Sequence, residues 1–172
     1  MEHYGIRGIV KDWFKSYLSS RYQSVVIGNV ISTPKKIEFG VPQGSVLGPI
    51  LFLIYINDIT NCLIKSTATV FADDTSLFFE DKNLDNLEIS INNELVQITQ
   101  WLIANRLTLN VDKSNLIVFQ NNAKLNLKIS LDGEILKQAK FVKYLGVIID
   151  EKLSWDNHVF TVTKKILQGI GM

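Results

Sequence analysis

In the stretch "VFADDTSLFF", residues 70–79, two carboxylates, Asp73 and Asp74, stand side by side between apolar runs. Adjacent like charges repel, and a bound cation relieves that repulsion. Hard carboxylate oxygens select Mg²⁺ or Mn²⁺. Two such ions about 4 Å apart stabilise both the attacking and the leaving oxygen of a phosphoryl transfer. The alternative is an ordinary surface turn, because Asp is frequent in turns and an Asp-Asp hairpin tip needs no metal. The flanks, "TATVFA" (67–72) and "TSLFFE" (75–80), read as two strands with the pair at the tip. Strands this apolar put that tip close to the core.

The elements that must hold this tip can be read from periodicity. Leu84, Leu87, Ile91, Leu95, Ile98 and Leu102 recur at helical spacing, which predicts a long amphipathic helix ending near Asn105, with the hairpin packed against it. Upstream, "GIRGIVKDWFKSYLSSR" (5–21) sets Ile9, Val10, Trp13, Phe14, Tyr17 and Leu18 on one helical stripe, with Arg7, Lys11 and Lys15 on another face. Two strand-like runs follow at 22–28 and 35–40, with Asn29 and Pro34 between them. "GVPQGSVLGP" (40–49) holds three glycines and two of the chain's three prolines, which marks a constrained loop. Pro49 suits the first position of the helix that "ILFLIYINDI" forms. The remainder is strand-rich: "SNLIVFQ" (114–120), "LKISLDG" (127–133) with a turn at Asp132-Gly133, and "FVKYLGVIID" (141–150). Ser154 suits the N-cap of a last helix. Trp13, Trp101 and Trp155 read as core or interface residues. The order of elements predicts one α+β domain, with no internal repeat and no linker.

At 172 residues and 47% hydrophobic, the chain is long enough to bury a core, and its composition excludes a disordered protein. Cys62 is the single cysteine, so there is no internal disulfide partner, and no Asn-x-Ser/Thr acceptor occurs. "MEHYGIRGIVKDW" has no apolar signal-peptide core. The apolar run 46–56 falls short of the roughly 18 residues that cross a bilayer and reads as a buried element. These features suggest an intracellular protein with no membrane segment, and they do not separate nucleus from cytoplasm. Net charge is only +1, but it is segregated: residues 1–56 carry six Lys/Arg against three Asp/Glu, 57–112 three against nine, and 113–172 nine against five. An acidic centre between basic flanks suits a metal-assisted site that handles a polyanion, and equally suits ordinary solvated faces.

Several motifs together carry a resemblance. "FADDT" (71–75), preceded by "GVPQGSVLGPILFLIYINDI" (40–59), resembles the reverse transcriptase palm of jockey-type, non-LTR retrotransposons. "HYGIRGIVKDWFKSYLSSRYQSV" (3–25), "WLIANRLTLNVDKSNLIVF" (101–119) and "KYLGVIIDEKLSWDNHV" (143–159) are similar to the family's flanking motifs, in the family's order. The resemblance implies a palm, an antiparallel sheet with helices on one face, over residues 1–150, and the beginning of the thumb over 151–172. It implies RNA-directed DNA polymerase activity with Mg²⁺ or Mn²⁺, acting on an RNA template, a DNA primer and deoxynucleotide triphosphates. Asp73 and Asp74 would be the catalytic, metal-binding pair. Phe71 and Ala72 would lie beside the primer terminus. Gly40, Pro42, Gln43, Gly44 and Ser45 would line template and incoming nucleotide; glycines admit close backbone approach, and Gln43 hydrogen-bonds without adding charge. Lys113 would assist the pyrophosphate leaving group, or else is a surface lysine after a turn. Tyr144, Leu145 and Gly146 would form the primer grip, residues an ordinary core hairpin also uses.

The family's pattern also has a third carboxylate, on a strand before the first helix, and finger motifs upstream. Among residues 1–37 the only acids are Glu2 and Asp12, and neither lies in an apolar strand. Two expectations follow. One is a polymerase domain fragment, inactive as the isolated chain and active once the missing strand is supplied. The other is a catalytically dead, transposon-derived remnant that at most binds nucleic acid weakly through its basic flanks.

Overall fold

The computed structural model describes residues 2–41, 44–119, 125 and 127–171. Helices alternate with short antiparallel strands, and the chain divides into two compact units, Met1–Ile56 and Asn57–Met172. Among the described residues the strands pair two by two, in five separate antiparallel ladders. This differs from the single antiparallel sheet expected: each strand finds its partner only across its own turn or loop.

In the first unit, α1 (Gly8–Leu18) follows a 3-10 turn at Glu2–Tyr4. The helix forms where the stripe predicts it, yet none of its residues is buried. Trp13 is therefore not a core residue; half exposed, it stacks on Tyr17 with ring centroids 5.5 Å apart. The run at 22–28 breaks into two strands. β1 (Arg21–Gln23) pairs with β4 (Lys35–Ile37), while β2 (Val26–Ile27) and β3 (Val30–Ile31) form a small hairpin between them. The break falls at Val25 and Ser32, where the Ser32 N–H donates to the Val25 carbonyl at 2.9 Å and the Val25 N–H donates to Ser32 Oγ at 3.0 Å.

α2 (Gly48–Ile56) starts one residue before Pro49. Its first turn is satisfied by Ser45, whose hydroxyl oxygen accepts from the Gly48 N–H at 3.0 Å, and Pro49 has no N–H to satisfy. The helix is not the buried element its composition suggests: Leu51 and Ile56 are buried, whereas Ile50, Leu53 and Tyr55 are exposed. Apolar on every side, it is covered on one.

The second unit is built around α3 (Leu84–Ala104), which begins at the N-cap Asn83, whose side chain accepts from the Asp85 and Asn86 N–H groups. The predicted stripe is the buried one: Ile91, Leu95, Ile98 and Leu102 form the core with Ile59, Leu127, Ile129 and Leu131. The main partners of α3 are the 3-10 segment Asn57–Cys62 and β7 (Ser130–Leu131), which pairs with β8 (Glu134–Ile135). The Asp hairpin, β5 (Thr67–Phe71) and β6 (Asp74–Phe78), is not a main packing partner of the helix as expected. The stripe is already covered by the inward residues of 127–131 and by Ile59.

Asp132 and Gly133 form the turn foreseen, both at positive φ. The strand expected at 114–120 does not form through Phe119; its contact is an isolated parallel bridge from Leu116 to Gln138, and Gln120 lies outside the described residues. Without a neighbouring strand to continue the ladder, apolar alternation alone does not make one. β9 (Phe141–Tyr144) and β10 (Val147–Asp150) form the last hairpin, followed by α4 (Asp156–Ile170). The N-cap of α4 is Trp155, at φ 67°, rather than Ser154. Ser154 is taken by Asp150, to which it donates its N–H at 3.1 Å and its hydroxyl at 2.9 Å. Trp155 is exposed and so is also not a core residue. No described helix is long and apolar enough to cross a membrane.

Candidate active site: the Asp73–Asp74 hairpin

The β5–β6 ladder runs from Thr67 opposite Phe78 to Phe71 opposite Asp74, leaving Ala72 and Asp73 as a two-residue loop. Ala72 has φ 52° and Asp73 does not share that sign, the pattern of a type II′ turn, which suits the twist of the flanking strands. Asp73 thus sits at the tip, and Asp74 is the first residue of β6. Both carboxylates are exposed, and so is Phe71, at 60%. The expectation that the tip lies close to the core is corrected: the hairpin buries part of Ala68, Val70, Ser76 and Leu77, and its end stands clear in solvent. Two accessible hard-oxygen donors on consecutive residues suit a hydrated divalent cation. Among the described residues, no group of three or more His, Cys, Asp or Glu side chains is placed to hold a metal.

The other end of the hairpin is held by a residue that the periodicity did not single out. Glu94, 2% exposed, lies on the buried face of α3 beside Leu95. Its carboxylate accepts the successive N–H groups of Ile64 (3.1 Å), Lys65 (2.8 Å) and Ser66 (3.3 Å), and the Ser66 hydroxyl. Three consecutive amides aimed at one anion form a nest. Burial pushes the Glu94 carboxyl up, but the Ser66 hydroxyl and the three N–H groups outweigh it and hold it below the ordinary range. The visible signal was an acid at i+3 from Ile91, inside the apolar stripe.

On its outer side, α3 uses Glu88 and Asn92 to bind a second segment. Glu88 accepts the Lys128 N–H at 2.8 Å, while Asn92 donates to the Lys128 carbonyl at 3.0 Å and accepts the Ser130 N–H at 2.8 Å. This keeps Ile129, wholly buried, turned into the core.

The remaining sequence-predicted residues are distributed over both units. Lys113 ends the 3-10 turn Val111–Lys113, capped by Asn110; it is exposed, and among the described residues no ion pair joins it to the Asp pair. Tyr144, Leu145 and Gly146 close the β9–β10 hairpin, with Leu145 at φ 47° and Gly146 at φ 88°. Gly can take that second position without strain. Gly40, Gly44 and Ser45 belong to the first unit, where Ser45 caps α2. Pro42 and Gln43 lie outside the described residues.

Comparison with known proteins decides what this arrangement belongs to. The sequence pattern of the reverse transcriptase (RNA-dependent DNA polymerase) family matches residues 1–149. The chain belongs to the reverse transcriptase family. It is 29% identical over 156 residues to a probable RNA-directed DNA polymerase from transposon X-element of Drosophila melanogaster, covering 88% of this chain and 17% of that protein. It is 28% identical over 155 residues to the RNA-directed DNA polymerase from mobile element jockey of the same species, covering 86% and 17%. To the probable RNA-directed DNA polymerase from transposon BS it is 29% identical over 163 residues, covering 90% and 18%. The jockey-type, non-LTR resemblance is thereby borne out, and this reverse transcriptase chain spans less than a fifth of the length of those relatives. No solved structure gives a significant match.

Proposed function

We propose that the chain is the palm-to-thumb part of an RNA-directed DNA polymerase of a non-LTR retrotransposon, with the palm over 1–150 and the beginning of the thumb over 151–172. The observation that carries the reading is the pair Asp73–Asp74, accessible at a two-residue hairpin tip in a chain of this family. In this reading Asp73 and Asp74 hold Mg²⁺ or Mn²⁺. When bound, the cation supplies charge stabilisation to the oxygens of nucleotidyl transfer. Phe71 and Ala72 flank the primer terminus. Gly40, Pro42, Gln43, Gly44 and Ser45 face template and deoxynucleotide, and Tyr144, Leu145 and Gly146 steady the primer. Lys113, on its exposed turn, carries the charge that meets the departing pyrophosphate.

The tip presents carboxylates from one side only, so a third acid from a neighbouring strand completes the site, and residues 1–37 offer none in an apolar strand. The isolated chain then binds the cation weakly. Isothermal titration with Mn²⁺ tests the pair directly: wild type is expected to bind and Asp73→Asn to lose binding, while relief of repulsion leaves the apo mutant slightly more heat-stable. Equal Mn²⁺ affinity in the two proteins would refute the metal role and favour the remnant reading.

A further inference from the structure

We infer that Glu94 is a positioning residue for the Asp73–Asp74 tip, acting through the base of the hairpin. The inference rests on the reading of that pair as a cation site. The hairpin has two legs, and both are tied to α3. The outgoing leg, β6, runs into the helix directly: Asp81 accepts the Asn83 N–H at 2.8 Å, and Asn83 caps the first turn. The incoming leg, β5, has no covalent link to α3. It is caught at residues 64–66 by the Glu94 carboxylate, eleven residues along the helix from Asn83 and so about 16 Å from the cap.

One attachment would leave the hairpin free to pivot about the start of α3. Two attachments, on one rigid helix and well separated, fix the direction in which the tip points. From Ser66 to Asp73 the extended leg covers about 23 Å, so a small swing at the base becomes an ångström-scale shift at the tip. A cation shared between these two carboxylates and a ligand from elsewhere is sensitive to shifts of that size.

The chemistry of the clamp explains why a carboxylate is used. Residues 64–66 precede the β5–β6 ladder, so their amides need an acceptor outside it. One carboxylate supplies all of them, as an amide could not: the NH₂ of a Gln would face the same donors.

The test compares Mn²⁺ affinity, by titration, in the 172-residue chain and in four variants. Glu94→Gln is expected to weaken Mn²⁺ binding about threefold or more, because the tip loses its fixed direction. Asn92→Ala removes three hydrogen bonds, to Glu88, Lys128 and Ser130, without touching residues 64–66, and is expected to lower the melting temperature while leaving Mn²⁺ affinity unchanged. Ser66→Ala removes only the hydroxyl donor; it gives a smaller loss of affinity and serves if Glu94→Gln does not fold. Unchanged affinity in Glu94→Gln and Ser66→Ala, with Asp73→Asn still abolishing binding, would overturn the inference and leave the cation site standing. Equal weakening in Asn92→Ala and Glu94→Gln would overturn it too, reducing Glu94 to general stability. If Asp73→Asn binds like wild type, the reading underneath fails and takes the inference with it.

Discussion

At the scale of single residues, the tip carries a conformational cost. Ala72 occupies the first loop position of a type II′ turn at φ 52°, where a Cβ is disfavoured and Gly is the usual residue. Ala72→Gly removes strain of about 1–3 kcal/mol and returns about 0.4–1 kcal/mol through a more flexible unfolded chain. The mutant is expected to be more stable by about 1 kcal/mol, read as a rise in the urea midpoint; a lower midpoint would show that Ala72 is not strained. The hairpin that carries the Asp pair was legible, because alternating apolar runs flank a turn-forming Asp-Asp step. Its exposure was not, because apolar flanks do not tell how far a hairpin projects. Of the two readings for Trp13 and Trp155, core or interface, their exposure excludes the core, because residue type predicts burial only where a second element arrives to cover it.

Among elements, α3 does most of the positioning. Its stripe was legible from Ile91 to Leu102, though Leu84 is exposed, and so was the turn at Asp132-Gly133, since helical period and turn chemistry are local signals. The clamp at Glu94 was not, because its partners are backbone amides 28 to 30 residues earlier, which no periodicity encodes. Ser154 was legible in part: its hydroxyl oxygen accepts the Asp156 N–H at 3.4 Å at the start of α4, but its N–H and hydroxyl are donated to Asp150. These two acids give the second unit an acid-sensitive character. Burial pushes Glu94 up, but its hydrogen bonds outweigh this and lower it. The Ser154 N–H lowers Asp150 against burial, helped by the Ser154 hydroxyl and the Lys152 and Trp155 N–H groups. A carboxyl lowered in the folded state adds stability that is complete above its unfolded value and is lost as pH falls through the folded value. The melting temperature should therefore fall steeply below about pH 4. Glu94→Gln should start less stable and fall less steeply over the same range; parallel curves for the two proteins would contradict the clamp's ionisation.

On the scale of the whole molecule, the α+β character and the family were legible, while the division into two units was not. No Gly/Pro/Ser-rich stretch or charge run marks position 56–57; the junction falls where α2 ends and the 3-10 segment Asn57–Cys62 begins. Apolar residues on α2 and α4 stay exposed, in a chain that spans less than a fifth of the length of its X-element, jockey and BS relatives. On the proposed reading, Asp73 and Asp74 are the metal-binding pair of a polymerase, and one more carboxylate is required for catalysis. The most direct measurement is primer extension on an RNA template with labelled deoxynucleotide. It compares the 172-residue chain, a form extended upstream by a strand bearing the additional Asp, and Asp73→Asn in the extended form. Losing one shared ligand costs several kcal/mol of transition-state stabilisation, or orders of magnitude in rate. The extended form should therefore synthesise DNA, and both the bare chain and the extended Asp73→Asn form should stay at background. Synthesis by the bare chain at the rate of the extended form, or synthesis that survives Asp73→Asn, would contradict the account.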